Sequence, residues 1–428
     1  MTVLGCIADD FTGATDLAAM LARTGVTVSL RLGLPQQEPD GIADVEIVAL
    51  KIRTVPVSDA TRQAVVALDW LRRAEAEQFY WKYCSTFDST ETGNIGPVAQ
   101  TLMGALEAEQ TVYIPSFPEN GRRVFMGNLF VGRDPIGESP MKDHPLTPMT
   151  DSNLCRVLAP QLDGAAVGLV DWPTVARGPM AVRNQLDTLL DEDIRHVIVD
   201  AIADHDLEAI ARACQTFALL TGGSAFAAQL PPLWRERGLI DAEPNEFVAH
   251  DLPSGGIVLS GSCSAMTQEQ IAMLLPHVPS LKLDPIVIAR NGAGEARDWL
   301  ANQATNGPVL IYATADADEV RFNQQELGTE RAGEIVETTL AQLAADAREM
   351  GRARFIVAGG ETSGAVAQVL GIDRLLVGPE IAPGVPWTFS DDGAGTIALA
   401  LKSGNFGGPD FFLRALDLLD RLEDGKPA

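Results

Sequence analysis

The chain of 428 residues is poor in positive charge. It carries 32 Lys and Arg residues against 58 Asp and Glu residues, a net charge of −26 at pH 7. This balance excludes a broad DNA or RNA interface, because contacts with nucleic-acid phosphates need clustered cations. No apolar run approaches the roughly 20 residues that span a bilayer, and Met1 to Gly5 lack the layout of a signal peptide. We therefore expect a cytoplasmic protein without nucleic-acid or membrane partners.

Cysteine and histidine are equally scarce, with five residues of each. The cysteines form no CxxC pair, and no histidine lies near them at the spacing of a zinc site. We therefore predict reduced thiols and no metal site. The chemistry has to come from acids, hydroxyls and glycines instead.

Short β-branched runs alternate with helical segments, which predicts an α/β fold. Such alternation is typical of a mostly parallel sheet flanked by helices, and the length of the chain favours two domains, each with such a sheet. The strands predicted in the first half are Val3–Ala8, Val26–Leu32, Val45–Leu50, Tyr80–Tyr83, Val112–Pro115, Val167–Val170 and Val197–Asp200. In the second half they are Ile257–Ser260, Val309–Ala313, Phe355–Ala358 and Ile397–Lys402, with a long helix over Glu334–Met350.

Two stretches lack the periodicity of helices and strands. Leu239–Gly255 has the Asp, Glu, Pro, Asn and Ser content of a connection, so we place a domain boundary there. The predicted domains are residues 1–240 and 255–428. Pro115–Asn153 predicts a long loop, and a loop of that length in a compact domain is usually functional or mobile.

Two acids follow the first predicted strand, in the run Ala8–Asp16. Ligands of open α/β sheets bind at the carboxyl ends of the strands, so Asp9 and Asp10 could direct carboxylates toward a ligand. Thr12 could cap the helix that follows, and Gly13 would let a ligand approach the backbone. The alternative is that one acid caps the turn and the other is solvated.

A hydroxyl-rich loop, Lys82–Asn94, follows another predicted strand. Its lysine, hydroxyls, carboxylates and amide could bind a small polyhydroxylated anion through many short hydrogen bonds. Ser and Thr also dominate ordinary loops, so a loop without a ligand stays open. Further cations for a carboxylate ligand are Lys51, Arg53, Arg122 and Arg123, the last two beside Asn120.

Three turns in the second half are rich in glycine and serine: Ser260–Ser264, Gly359–Gly364 and Leu401–Gly408. Small residues between a strand and a helix expose backbone N–H groups that can bind phosphate. One such turn is weak support, because tight loops are often rich in glycine, whereas three favour a nucleotide-phosphate site. The P-loop motif and the motifs of protein kinases are absent.

Together these runs resemble the four-carbon acid sugar kinase family. The resemblance rests on Ile7–Asp16, Ser85–Asn94, Gly359–Gly364 and Leu401–Gly407, and it spans nearly the whole chain. It implies an N-terminal domain that binds a sugar acid and a C-terminal domain that binds a nucleotide. The residues implied on the sugar-acid side are Asp9, Asp10, Lys51, Arg53, Lys82, Asp88 and Asn94. Further candidates from the same loops are Thr12, Asp16, Ser85, Asn120 and Arg122. Those implied to contact ATP are Ser260 or Ser262, Gly359, Gly360, Glu361, Thr362, Ser363, Gly364 and Gly404.

Within the family, Pro118–Arg122, His144–Met149 and Asp151–Asn153 resemble the branch that phosphorylates 3-oxo-tetronates at the terminal hydroxyl. The threonate and erythronate branches stay open as alternatives, as does a homo-oligomer. ATP would enter with Mg²⁺, whose coordination is filled largely by phosphates and water, so no dedicated metal cage is expected. Asp10, or failing it Asp9, would orient or deprotonate the acceptor hydroxyl.

Two other classes of function stay open. A non-catalytic sensor that reads a sugar acid and a nucleotide together would use the same residues without phosphoryl transfer. An oxidoreductase acting on the same acids is disfavoured, because no GxGxxG motif opens a helix. Gly393–Ala398 fits GxGxxA, but it precedes a predicted strand.

Overall fold

The structure is a computed structural model that describes residues 2–39, 43–143, 147–242, 252–253, 255–391, 395–402 and 404–423. The chain divides into two compact units, Met1–Asn245 and Glu246–Ala428. Several residues singled out above lie outside the described residues: part of the boundary segment (243–251 and 254), His144, Pro145, Leu146, Gly393 and Ser403. The functional limits 1–240 and 255–428 stay a prediction.

The first unit alternates strands and helices. Its strands are β1 (Leu4–Ala8), β2 (Val28–Leu32), β3 (Val45–Ala49), β4 (Gln78–Lys82), β5 (Thr111–Ile114), β6 (Arg122–Phe125), β7 (Asn128–Val131), β8 (Asp134–Pro135), β9 (Val167–Val170), β10 (His196–Val199) and β11 (Leu219–Gly222). Its helices are α1 (Phe11–Ala22), α2 (Val57–Arg73), α3 (Ile95–Leu106), α4 (Leu154–Leu158), α5 (Trp172–Val175), α6 (Pro179–Asp191), α7 (Asp204–Cys214), α8 (Ser224–Ala227) and α9 (Leu230–Glu236).

A parallel sheet with the order β2-β3-β1-β4-β11-β5-β10-β9 forms the core of this unit. Strands β1 and β3 are buried along their whole length, as expected for parallel strands that are covered on both faces. Ala8 at the end of β1 pairs with Ala49 on one side and with Lys82 on the other. The segments after these three strands therefore leave the sheet side by side.

The second unit also contains β-strands arranged side by side. Its strands are β12 (Gly256–Ser260), β13 (Ser280–Lys282), β14 (Val309–Tyr312), β15 (Arg354–Ala358), β16 (Arg374–Ala382), β17 (Val385–Asp391) and β18 (Thr396–Lys402). Its helices are α10 (Ala265–Leu274), α11 (Pro285–Asn291), α12 (Gly294–Ala301), α13 (Ala317–Leu327), α14 (Thr329–Glu349), α15 (Gly360–Val369) and α16 (Phe411–Glu423). The order is β13-β14-β12-β15-β18-β17-β16, parallel as far as β18 and antiparallel beyond it.

The predicted α/β class with mostly parallel sheets is confirmed, and the predicted strands lie within two residues of observed ones. The prediction of one long loop over Pro115–Asn153 is wrong in part, because β6, β7 and β8 form a small antiparallel sheet there. Strands of at most four residues are too short to display the alternation that identifies a strand. None of the helices within the described residues combines the length and the apolar character that a membrane span requires.

Candidate functional site

The acids after β1 form an ion-pair cluster with the loop after β3. The guanidinium of Arg53 donates to both carboxylate oxygens of Asp9, from Nε at 2.7 Å and from Nη2 at 2.9 Å. It also lies 3.0 Å from Asp10 and 3.6 Å from Asp88. We name Asp9, Asp10, Arg53, Lys82 and Asp88 the acceptor cluster. One guanidinium thus holds three carboxylates that come from two different loops.

The two neighbouring acids differ in burial and in hydrogen bonding. Asp9 is 3% exposed and is bound on both oxygens by Arg53, so it anchors the guanidinium. Asp10 is partly exposed and caps α1, since its Oδ1 accepts from the N–H of Gly13 at 2.7 Å. Asp10 is therefore the capping acid of the alternative, but Asp9 is buried and not the solvated acid that the alternative requires. A ligand role for either acid stays a prediction.

Burial raises the pKa of Asp9, and the adjacent Arg53 guanidinium partly opposes this shift. For Arg53 burial acts in the opposite direction, but the carboxylates of Asp9 and Asp10 raise its pKa above the ordinary value. The guanidinium therefore stays charged at any pH at which the protein is folded.

Lys82 and Asn94 support the acceptor cluster from inside the unit. The buried Nζ of Lys82 donates to the Tyr83 carbonyl at 2.9 Å, and a Cβ at Gly13 would lie 3.0 Å from it. Gly13 therefore brings the start of α1 close to this ammonium. Asn94 is buried and donates from Nδ2 to the carbonyls of Ile52 at 2.7 Å and Val55 at 2.8 Å. Its amide fixes the loop that carries Arg53.

The hydroxyl-rich loop is tied together by its own side chains. Thr86 donates to Asp88 at 2.5 Å and lies 2.9 Å from the Cys84 thiol. Burial raises the pKa of Cys84 to about 11, which keeps it a neutral thiol. Ser89 is buried and accepts from the amide of Gln161 at 2.9 Å. Ser85 is partly exposed, which leaves it accessible to a ligand.

Four other residues predicted for the sugar-acid side are Thr12, Lys51, Asn120 and Arg122. The prediction that Thr12 caps the first helix is wrong, because Asp10 caps α1 and Thr12 lies exposed within its first turn. The ammonium of Lys51 lies 5.1 Å from the ring centroid of Phe11. Asn120 and Arg122 make a local contact, in which Arg122 donates to the Asn120 carbonyl. No ion pair joins Arg122 to the acceptor cluster among the described residues, so its role stays a prediction.

Ser224 is a residue that the sequence analysis missed. Its hydroxyl donates to the carboxylate of Asp16 from the first residue of α8, directly after the turn that follows β11. Gly222 at the end of β11 pairs with Lys82 of β4, so this turn lies beside the acceptor cluster at the same edge of the sheet. The signal was the run Leu220–Ala225, where two glycines and a serine follow a strand.

The three glycine-rich turns of the second unit come together. Ala358 pairs with Ser260 on one side and with Lys402 on the other, so β12, β15 and β18 end at the same level. The N–H groups of Gly261 and Ser262 donate to the Ala358 carbonyl, and that of Gly359 donates to the Lys402 carbonyl. The three turns are thus neighbours in space, and phosphate binding by them stays a prediction.

Close packing explains the glycines of these turns. A Cβ at Gly261 would lie 2.3 Å from the Thr362 hydroxyl, and one at Gly404 would lie 2.7 Å from the Ser262 hydroxyl. Gly359 has a φ of +124°, which side chains rarely adopt. Gly360 differs, since it opens α15 and a Cβ there would meet no atom within 4 Å. Its exposed backbone leaves room for a ligand.

The structure distinguishes the two serines proposed for ATP. The buried Ser260 hydroxyl lies 2.7 Å from the Thr314 hydroxyl, so it is used inside the unit. Ser262 is partly exposed and its hydroxyl lies in the turn, 3.3 Å from that of Ser264. Of the residues after β15, Glu361 is exposed, whereas Thr362 and Ser363 are buried. Ser262 is thus the more accessible of the two serines.

A cleft opens beside the turns of the second unit. Gly261, Cys263 and Thr362 line it near the turns, and Val320, Ala332 and Val336 line it from α13 and α14. A mostly apolar cleft next to exposed backbone amides suits a planar base joined to phosphates. The part of the chain that the structure describes contains no group of three His, Cys, Asp or Glu side chains arranged to hold a metal ion.

Comparison with known proteins finds relatives of both units. Residues 4–230 match a family described as a sugar-binding N-terminal domain, and residues 257–412 match one described as a nucleotide-binding C-terminal domain. A Cupriavidus necator protein named 3-oxo-tetronate kinase is 50% identical over 97% of this chain and 96% of its own length. A Burkholderia multivorans protein of the same name is 47% identical over 98% of this chain and 97% of its own length.

Solved structures agree with these relationships. A Salmonella typhimurium LT2 protein has a TM-score of 0.89 at 39% identity, covering 97% of this chain and 99% of that one. A Haemophilus influenzae protein has a TM-score of 0.87 at 39% identity, covering 97% of this chain and all of that one. The resemblance drawn from four short runs of residues is confirmed over nearly the full length.

Proposed function

The chain belongs to the four-carbon acid sugar kinase family, and from this membership we propose that it is an ATP-dependent kinase of 3-oxo-tetronate. The reaction transfers the terminal phosphoryl group of ATP to the C4 hydroxyl of the sugar acid. The observation that carries the proposal is the identity of 40% to 50%, over at least 97% of this chain, to relatives that share one name.

The acceptor cluster and its surroundings form the proposed sugar-acid site within residues 1–240. Arg53 and Lys82 are held rigidly by buried partners, so they can meet the substrate carboxylate without reorganisation. Asn94 acts through Arg53, because its amide holds the carbonyls of the Arg53 loop. The residues proposed to contact the hydroxyls and the remaining charge are Thr12, Asp16, Lys51, Ser85, Asp88, Asn120, Arg122 and Ser224.

Asp10 is the proposed carboxylate that orients or deprotonates the C4 hydroxyl. Phosphoryl transfer needs the acceptor oxygen in line with the phosphorus, and it needs a group that accepts the hydroxyl proton. Asp10 is fixed by the Gly13 N–H and by Arg53, yet it remains partly exposed. Asp9 is buried with both oxygens bound, which favours an anchoring role for it.

The turns of the second unit form the proposed nucleotide site within residues 255–428. The phosphates would meet the exposed backbone at the start of α15 and the hydroxyl of Ser262, and the base would enter the apolar cleft. Mg²⁺ arrives in this proposal as part of the ATP complex, held by phosphate oxygens and water. The full set proposed to contact ATP is Ser262, Gly359, Gly360, Glu361, Thr362, Ser363, Gly364 and Gly404, with Ser260 behind them.

Release of ADP from Mg-ATP tests the proposal. The protein is incubated with 3-oxo-tetronate, D-threonate and D-erythronate in turn, and phosphorus NMR locates the phosphate in each product. We expect the highest kcat/KM for 3-oxo-tetronate and an ester at C4. A higher kcat/KM for threonate or erythronate would move the protein to another branch, and binding of both ligands without ADP release would favour a sensor.

A further inference from the structure

Lys402, the last residue of β18, places a fully buried ammonium group behind the glycine-rich turns. The residue is 0% exposed, and its Nζ donates to the Gly404 carbonyl at 2.7 Å. A second contact joins Nζ to the Thr267 hydroxyl at 3.3 Å. The ring of Phe411 lies 5.8 Å from it on another side. The charge is therefore held at one point.

The groups around this ammonium connect it to the surface of the turns. The Thr267 hydroxyl also donates to the Gly404 carbonyl at 2.8 Å and lies 3.2 Å from the Ser262 hydroxyl. Gly404 in turn packs against Ser262, where a Cβ would lie 2.7 Å from the hydroxyl. We name Ser262, Ser264, Thr267, Lys402 and Gly404 the turn cluster. Only one layer of hydroxyls and backbone separates the ammonium from the partly exposed Ser262.

A neutral side chain could make the same hydrogen bonds at a lower cost. Removing an ammonium from water is unfavourable, and burial lowers the pKa of Lys402, so its surroundings repay only part of that cost. A fixed positive charge is advantageous where a polyanion binds, because charges interact more strongly in a water-poor interior than in water. The backbone amides of the turns carry only partial charges, and the rest of the chain is strongly acidic.

We propose that Lys402 is a positioning residue of the nucleotide site, which holds the Gly404 turn against the Ser262 turn and supplies a buried positive charge to the nucleotide phosphates. The inference rests on the proposed function, in that it takes the second unit as the ATP-binding unit. It goes further by assigning electrostatic recognition of the phosphates to a residue that the bound ATP does not touch.

A series of nucleotides separates this role from a structural one. Calorimetry measures the affinity of the whole protein for ATP, ADP, AMP and adenosine, in the wild type and in Lys402→Gln. Glutamine can still donate to Gly404 and Thr267 but carries no charge. We expect the affinity of Lys402→Gln to fall at least tenfold for ATP, less for ADP and AMP, and by less than twofold for adenosine. Lys282→Gln is the matched control, because Lys282 also ends a parallel strand of this sheet but is exposed.

The outcomes separate the electrostatic role of Lys402 from the proposed function of the second unit. An equal loss for all four ligands, or no loss for ATP, would overturn the electrostatic role of Lys402. A wild-type protein that binds none of the phosphorylated nucleotides would instead overturn the proposed function. If Lys402→Gln fails to fold, Lys402→Arg keeps the charge and must keep the wild-type preference for ATP over adenosine. Loss of that preference in a folded Lys402→Arg protein would also contradict the inference.

Discussion

The acceptor cluster and the turn cluster both lie at the carboxyl ends of parallel strands, but different chemical groups form them. The first unit uses charged side chains, with Arg53 shared among three carboxylates. The turns of the second unit use backbone groups, hydroxyls and glycines, with the buried ammonium of Lys402 behind them. A site that moves a proton needs a titratable group, whereas a site that holds phosphate needs closely approached N–H groups. The difference between the two clusters therefore matches the tasks that we propose for the two units.

Replacing Asp10 by Asn removes one charge from the acceptor cluster and should have the largest effect on catalysis. The amide oxygen can still accept from Gly13, and Arg53 keeps both contacts with Asp9, so stability should fall by at most about 1 kcal/mol. If Asp10 accepts the hydroxyl proton, kcat should fall by on the order of 10² to 10⁴. Steady-state kinetics with calorimetry of ATP binding measures both effects.

Asp59→Asn is the control for Asp10→Asn. Asp59 is a partly exposed acid near the start of α2, paired with Arg62, so its variant should keep the wild-type kcat. A kcat of Asp10→Asn above about a tenth of the wild-type value would give the proton-accepting role to Asp9 or to another group.

Replacing Arg53 by Met should damage both binding and folding. The buried carboxylate of Asp9 loses its partner, and breaking a buried ion pair from one side costs about 3–5 kcal/mol. The pKa of Asp9 is already raised by burial, so its folded form keeps a proton to higher pH than its unfolded form does. Its contribution to stability therefore falls as the pH rises above about 4, and the deficit of Arg53→Met should be smaller at pH 5 than at pH 7. Urea unfolding at both pH values measures it.

The double variant Asp9→Asn/Arg53→Met tests whether the unpaired charge of Asp9 causes the loss of stability. It removes the unpaired charge, so it should recover much of the stability while the KM for the sugar acid stays at least tenfold above that of the wild type. Equal stability of the single and double variants would show that the ion pair does not hold the loop.

The sequence predicted which residues form the two candidate sites better than it predicted which of these residues contact one another. Parallel strands place the residues after them at one edge, so Asp9, Asp10, Lys82 and the three glycine turns could be grouped from the order of elements alone. The sharing of Arg53 among three carboxylates depends on side-chain conformations that no local pattern encodes. The same applies to Asn94, whose amide reaches backbone carbonyls about forty positions away in the chain.

The residues that were missed or doubtful share one physical reason. Ser224 meets Asp16 across 208 positions, and Thr267 meets Gly404 across 137, so each contact depends on tertiary packing. The small antiparallel sheet β6-β7-β8 was missed because its strands are too short for alternation to appear. Local signals therefore identified the candidate loops, and only the fold identified which atoms meet.

The buried charge of the turn cluster can be tested through pH. Burial lowers the pKa of Lys402 from its ordinary 10.5 to about 8. Below pH 8 the folded and unfolded chains both carry the proton, and the full cost of the buried charge is present. Between pH 8 and 10.5 the unfolded chain binds more protons, so the contribution of Lys402 to stability should rise, by up to about 3 kcal/mol.

Unfolding of the wild type and of Lys402→Met at pH 7 and pH 10 measures this contribution. We expect the stability of the wild type relative to the variant to increase with pH. A relative stability that is unchanged or lower at pH 10 would mean that the lysine is not held as a costly buried charge.

The smallest expected effect concerns Gly360, where the second unit offers backbone rather than side chains to its ligand. A ligand at about 100 times its Kd adds about 2.7 kcal/mol to the free energy of unfolding, so ATP should raise the melting temperature of the wild type. Gly360→Val should fold, because a Cβ at Gly360 meets no atom, yet the added side chain would occupy the space of the phosphates. Gly294→Val is the matched control, since Gly294 also opens a helix of this unit with open space around its Cβ. Thermal melting with and without ATP should show the shift in the wild type and in Gly294→Val but not in Gly360→Val. A full shift in Gly360→Val would show that the phosphates do not bind at the start of α15. The contrast between a site of charged side chains and a site of backbone groups would then not hold for this turn.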